Sequence, residues 1–235
     1  MSTIAPRETL DRLLKELLDE LLLMGSMVEE AIHASVEALK QRDFAYSRQI
    51  YLNDTKINQK HFEIETNCIT VIATQQPMAR DLRCLASILE VVTELERIGD
   101  YAKGIARINL MIGDQPLLKP LIDIPRMAEL VVSMLHRALG AFVAWDLETA
   151  KALPIEDDEV DYLYNQVFRE LITYMIADTS TIDRANYLLW AAHDLERAAD
   201  RVTNICERTV YMVTGVLQEF DHTDDELDRM EIKND

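Results

Sequence analysis

The chain has 235 residues, 42 acidic and 24 basic, for a formal net charge of −18. That charge excludes a phosphate-backbone reader, which needs clustered lysine and arginine, and direct docking on anionic lipid. A hydrophobic content of 49% excludes general disorder, and only six glycines and six prolines argue against a turn-rich all-β fold.

The periodicity is helical almost throughout. Leu10, Leu13, Leu14, Leu17, Leu18 and Leu21 begin an amphipathic stripe that predicts a helix over 10–39. Arg42-Asp43 interrupts it, and a second helix is predicted over 44–73. Gln75-Gln76-Pro77 ends that helix, because the residue before a proline disfavours the α region. A third is predicted over 78–111, about 50 Å long at about 1.5 Å per residue. Residues 113–125 hold three of the six prolines and read as a linker. Helices are then predicted over 126–144, 155–177 and 182–219. Residues 220–235 are acidic, without an apolar stripe, and read as a solvated tail.

The expected architecture is all-α: two tandem three-helix bundles, residues 1–112 and 126–219. The most apolar stretch, 13–24, is broken by Lys15, Glu16, Asp19 and Glu20, so no membrane insertion is expected. Residues 1–6 lack the apolar core of a signal peptide. Cys68, Cys84 and Cys206 are odd in number, well separated and outside any C-x-x-C, which suits a reducing compartment. A cytoplasmic protein is expected.

The halves repeat each other. Leu95-Glu96-Arg97-Ile98-Gly99-Asp100 matches Leu195-Glu196-Arg197-Ala198-Ala199-Asp200 at an offset of 100. Earlier in each half the offset is 103, so that Asp43 meets Asp146, Asp54 meets Asp157 and Ile57 meets Val160. The slip falls at the turn after the second helix, where an internal repeat tolerates a change of length.

Oxygen side chains stand four apart at Asp54/Asn58, Glu96/Asp100, Asp157/Asp161 and Glu196/Asp200. On a helix such positions are neighbours, and like charges there repel; a bound cation reverses the sign. Core seams read Leu188, Ala192, Leu195, Ala199, Val202, Cys206 in the last helix, Ile88, Val92, Leu95, Gly99, Ala102, Ala106 in the third, and Ile57, His61, Ile64, Cys68 or Val160, Tyr164, Val167, Leu171 in the second helices. Glu96, Asp100, Glu196 and Asp200 flank those seams, and Asn58 and Asp161 take the same flanking position, so two neighbouring helices could converge four oxygen side chains on one groove. Carboxylates without thiolate favour iron, manganese, magnesium or calcium over zinc. A solvated acidic face is the bland alternative, and it stays open. The second bundle offers four carboxylates; the first has neutral Asn58 as its fourth oxygen, so unequal metal capacity is expected. Glu30-x-x-His33 resembles half of a di-iron site, but at its copy, His136, Ser133 replaces the Glu. His33, His136 and His193 read as ordinary helical histidines, and Arg97 and Arg197 as surface ion-pair partners. No phosphate loop, nucleophile elbow or H-E-x-x-H occurs, so no enzyme is expected.

Gln76-Pro77-Met78-Ala79-Arg80-Asp81-Leu82-Arg83, the Leu95–Asp100 motif and its copy through Asn204-Ile205-Cys206-Glu207 resemble the PhoU family of phosphate-transport regulators over residues 8–218. The resemblance implies two three-helix bundles in pseudo-twofold relation, often dimeric. It implies metal on the bundle surface, iron above all and in multinuclear form in some members, with Mg, Mn, Ca or Zn also admissible. The residues that match are Asp54, Glu96, Asp100, Asp157, Asp161, Glu196 and Asp200, with Asn58 departing from the Asp pattern. The Arg80–Arg83 segment has no good copy, since Asp183 faces Arg83. By the same resemblance the chain is a negative regulator of phosphate uptake and of the phosphate-starvation response. Its partners are then the ATPase of a phosphate ABC transporter, a sensor histidine kinase and a second copy of itself. A carboxylate-bridged di-metal enzyme and a metal-free helical scaffold are the alternatives from other classes.

Overall fold

The structure is a computed structural model that describes residues 6–220. Over these residues the apolar stripes fold as seven α-helices: α1 (Pro6–Gln41), α2 (Phe44–Gln75), α3 (Arg80–Ile112), α4 (Asp123–Ala144), α5 (Leu147–Ala152), α6 (Asp157–Ala177) and α7 (Ile182–Thr214); the linker expected over 113–125 ends at 122, just before α4 begins. Helices α1–α3 form the first three-helix bundle, and α4, α5 with α6, and α7 form the second.

The repeat is written into the turns. Arg42 and Trp145 both take a left-handed backbone, at φ 60° and 58°. Asp43 and Asp146 follow with almost the same φ and ψ, and both cap the next helix. Asp43 accepts from the Tyr46 amide, and Asp146 from the Glu148 and Thr149 amides. Each satisfies amides that a helix start leaves orphaned.

The copies differ where the sequence carries a proline. Helix α2 is continuous, whereas its counterpart breaks at Pro154 into α5, a 3₁₀ turn (Leu153–Glu156) and α6. Proline cannot donate to the helical ladder and clashes with the preceding turn. The helix predicted from 155 therefore starts at Asp157, and a further short helix precedes it. The last helix stops at Thr214, not at 219, where Gly215 takes a left-handed cap. Phe220, the first residue of the predicted tail, packs against the core and donates its amide to Glu207; residues 221–235 lie outside the described residues.

Equivalent helices of the two bundles pair with each other, α1 with α4 and α3 with α7, as a twofold relation requires. One hydrophobic core runs through both bundles, including Leu21, Ile88, Leu95, Phe142, Leu188 and Leu195. Helix α4 corrects the membrane reading in part. It is 22 residues long, with a stretch of mean hydropathy 1.4, and among the described residues it alone is long and apolar enough to cross a membrane. Half of that stretch is buried inside the protein, where Met127, Val131, Leu135 and Phe142 fill the core.

A polar staple holds the α1–α2 turn. Fully buried Asn109 donates to Ala38 O at 2.9 Å and Ser47 Oγ at 2.8 Å. Arg42 donates to Asn109 Oδ1 and to the carbonyls of Gly113 and Gln115. Asn109→Ala should strand these buried acceptors and cost about 1–3 kcal/mol. Urea unfolding at fixed pH measures this, and an unchanged midpoint would refute the staple.

Candidate functional site

In the second bundle, α6 begins at Asp157, three residues before the core residue Val160. That spacing turns Asp157 onto the inner face of the helix, and it is only 7% exposed. Glu196 and Asp200 stand one turn apart on α7, half-buried, while Asp161 stands exposed at the mouth. Oδ1 of Asp157 and Oε2 of Glu196 are buried without a hydrogen-bond donor. His193 Nδ1 lies 3.0 Å from that Glu196 oxygen and forms an ion pair with it when the ring is protonated. Its ring sits 5.9 Å from that of Tyr164. Arg197 Nε is 3.9 Å from Asp200 Oδ2. Burial, and then the charges of Asp161, Asp200, Glu196 and Asp158, push the Asp157 carboxyl up to about 7. Burial also raises Glu196 and Asp200, Glu196 with help from Asp200 and against the pull of His193.

The first bundle places Asp54, Asn58, Glu96 and Asp100 in the equivalent positions on α2 and α3. Asp54 is 4% exposed for the same reason as Asp157, lying three residues before Ile57. Gly99 permits the close approach of α3, since a β-carbon there would come within 3.2 Å of Ile57. Lys103 differs from anything in the second bundle. Its Nζ lies 2.7 Å from Asp54 Oδ2 and 3.4 Å from Asp100 Oδ1. The Asn58 amide also points to Asp54 Oδ2, at 3.4 Å. Asp54 Oδ1 and Asn58 Oδ1 stay buried and unpartnered. Burial, then Asp100, raises Glu96, with His61 pulling the other way. A cavity of about 330 Å³, lined by Glu30, Asn53, Asp54, Ile57 and Lys103 among others, opens beside the cluster.

Asp157 feels the charges of Asp161, Asp200 and Glu196, and Glu96 those of Asp100 and Asp54, so members of each set lie near one another, with Asp54 and Asp157 buried. Among the described residues, no three His, Cys, Asp or Glu side chains are drawn together tightly enough to cage an ion as they stand. The donor chemistry nevertheless suits a hard cation: anionic oxygens, partly desolvated and mutually repelling, with lone pairs unused. Helical spacing does not mark Lys103, His193 or Tyr164 as part of the sites. The repeat does mark Lys103, since its copy is Thr203. His33 and His136 are ordinary: both are exposed, with His136 3.3 Å from Glu29. The three cysteines are free and buried, and burial pushes the Cys68, Cys84 and Cys206 thiols up to about 12, 11 and 12. Such thiols are unreactive at neutral pH.

The PhoU domain family matches residues 21–108 and 124–209, one match in each bundle. The Clostridium acetobutylicum phosphate-specific transport system accessory protein PhoU homolog is 38% identical over 203 residues, covering 86% of this chain and 93% of that protein. The Escherichia coli phosphate-specific transport system accessory protein PhoU is 34% identical over 218 residues, 92% of this chain and 90% of that one. The crystal structure of PhoU from Pseudomonas aeruginosa superposes with a TM-score of 0.83 at 34% identity, covering 88% of this chain and 99% of that chain. With its fold, its internal repeat and two matched domains in register, this chain belongs to the PhoU family.

Proposed function

We propose that this chain is a non-catalytic accessory protein of a phosphate transport system. It acts as a negative regulator of phosphate uptake and of the starvation response, through contact with the transporter ATPase and a sensor histidine kinase. It works in the cytoplasm as a homodimer. The relatives support this reading through their description as transport-system accessory proteins.

The observation that carries the chemical part is the buried Asp157 carboxylate, whose Oδ1 meets no donor. Such an oxygen is costly unless a cation meets it. Asp157, Asp161, Glu196 and Asp200 would hold the ion, iron first among the candidates. A bound ion would supply positive charge that relieves the repulsion between α6 and α7. Asp157 and Glu196 anchor it from the buried side, and His193 lies within reach of Glu196 to orient it.

A strain lacking the gene should take up phosphate and keep its starvation reporter on in phosphate-rich medium. The wild-type gene should reverse both effects, and the Asp157→Asn/Glu196→Gln double variant should do so only weakly. Uptake and reporter levels indifferent to the gene would end this reading.

A further inference from the structure

The two repeat-related clusters hold different charges at one corresponding position. Lys103 follows Asp100 by three residues on α3, and the helix carries its ammonium across to α2, where it bonds Asp54. The lysine side chain is 29% exposed, and its Nζ also lies 5.5 Å from the Tyr51 ring. At the corresponding place in α7 stands Thr203, which is buried, uncharged and without a partner for its hydroxyl. Among the described residues no lysine pairs with Asp157, Glu196 or Asp200: His193 stands beside Glu196 and Arg197 is 3.9 Å from Asp200, at the outer side chains of the second cluster rather than at Asp157. The first cluster thus sets one ammonium against two of its three carboxylates, Asp54 and Asp100. The second brings four carboxylates, one of them Asp157, nine-tenths buried and with an oxygen that nothing meets.

We infer that the Lys103 ammonium is the resident cation of the first cluster, so that this chain takes up metal in its second bundle alone. The inference rests on the reading of the second cluster as a cation site. An ammonium 2.7 Å from Asp54 Oδ2 repels an incoming divalent ion at close range, and it already satisfies the buried carboxylate. Neutral Asn58 removes a further charge that a metal would need. The two bundles then have separate tasks: the first is held together in all conditions by its own side chain, and the second responds to the supply of metal. Because Asp54 Oδ1 and Asn58 Oδ1 have no donors, removing the ammonium exposes a usable set of oxygens.

The test is manganese(II) titration of the full chain, read as ions per chain, together with thermal melting of metal-free and metal-loaded samples. Wild-type protein should bind through the second cluster only: Asp157→Asn abolishes uptake and Asp54→Asn does not change it. Lys103→Thr should melt lower than wild type without metal. It should gain a second class of site, at least ~tenfold tighter than anything wild type shows there, and manganese should restore its melting temperature. Lys103→Met, which keeps the apolar stem, should gain the same site. If both Lys103 variants take up no more manganese than wild type, or if wild-type uptake already falls with Asp54→Asn, the inference is wrong while the second site stands. If wild type takes up no manganese that depends on Asp157, both the site reading and the inference fail.

Discussion

Asp157→Asn should stabilise the metal-free protein at pH 8 and change it little at pH 4. In the fold Asp157 keeps its proton up to about pH 7, whereas an ordinary aspartate releases it near 3.8. Between those values the folded state binds more protons than the unfolded chain, so stability falls as pH rises. The groups facing it, Asp161, Asp200, Glu196 and Asp158, are all acidic, and burial raises Glu196 and Asp200 in the same direction. A tenfold difference in proton affinity between the folded and unfolded states is worth about 1.4 kcal/mol, so the substitution should gain about 2–4 kcal/mol above pH 7. The measurement is urea unfolding of both proteins at several pH values in chelator. Two parallel curves would mean that Asp157 is not a strained carboxylate, and the case for a cation site would lose its physical basis.

Glu94→Ala should cost about 1–3 kcal/mol, the usual penalty for leaving buried hydrogen-bonding groups without their partner. Glu94 lies on α3 against α7, where Arg201 Nη1 is 3.5 Å away and Asn204 donates at 3.3 Å. The two charged side chains are only 11% and 17% exposed, and without Glu94 the guanidinium keeps only Tyr101 and the charge of Asp200. The repeat supplies an internal control. The copy of Glu94 is Asp194, and the copies of Arg201 and Asn204 are Tyr101 and Gly104. Asp194 approaches Gly104 so closely that a β-carbon there would lie 2.6 Å from its Oδ2, and burial pushes its carboxyl up to about 7. Asp194→Asn should therefore stabilise the protein above pH 7, opposite in sign to Glu94→Ala. Unfolding midpoints that move the same way for both variants would refute this account of the α3–α7 contact.

The helices are legible in the sequence because a 3.6-residue stripe survives any tertiary context that buries one face. The core positions Leu95, Ala102, Leu195 and Val202 are all buried, as the stripe requires. The short helix α5 is not legible, because six residues carry less than two turns of pattern. Pro154 marks the break, but not the capped turn before it. The carboxylate sets are legible through the repeat, though their depth is not. Asp54 and Asp157 precede Ile57 and Val160 by three residues, which places them on the buried face as much as at its edge. Lys103 is hidden for a different reason. A lysine on a helix with as many bases as acids looks like a solvated charge, and only the approach of α2 makes it an internal counter-ion. His193 reads as exposed, and it is 46% exposed; its contact with Glu196 depends on side-chain direction, which spacing along one helix does not specify.

Asp157, Asp161, Glu196 and Asp200 as a cation site on a regulatory scaffold can be tested most directly by elemental analysis of untagged protein, purified in parallel as wild type and as the Asp157→Asn/Glu196→Gln double variant. Metal, iron foremost, should be bound to the wild type and lost from a double variant that remains folded and helical. Equal metal content in the two folded proteins, or none in either after incubation with iron and manganese, would contradict it.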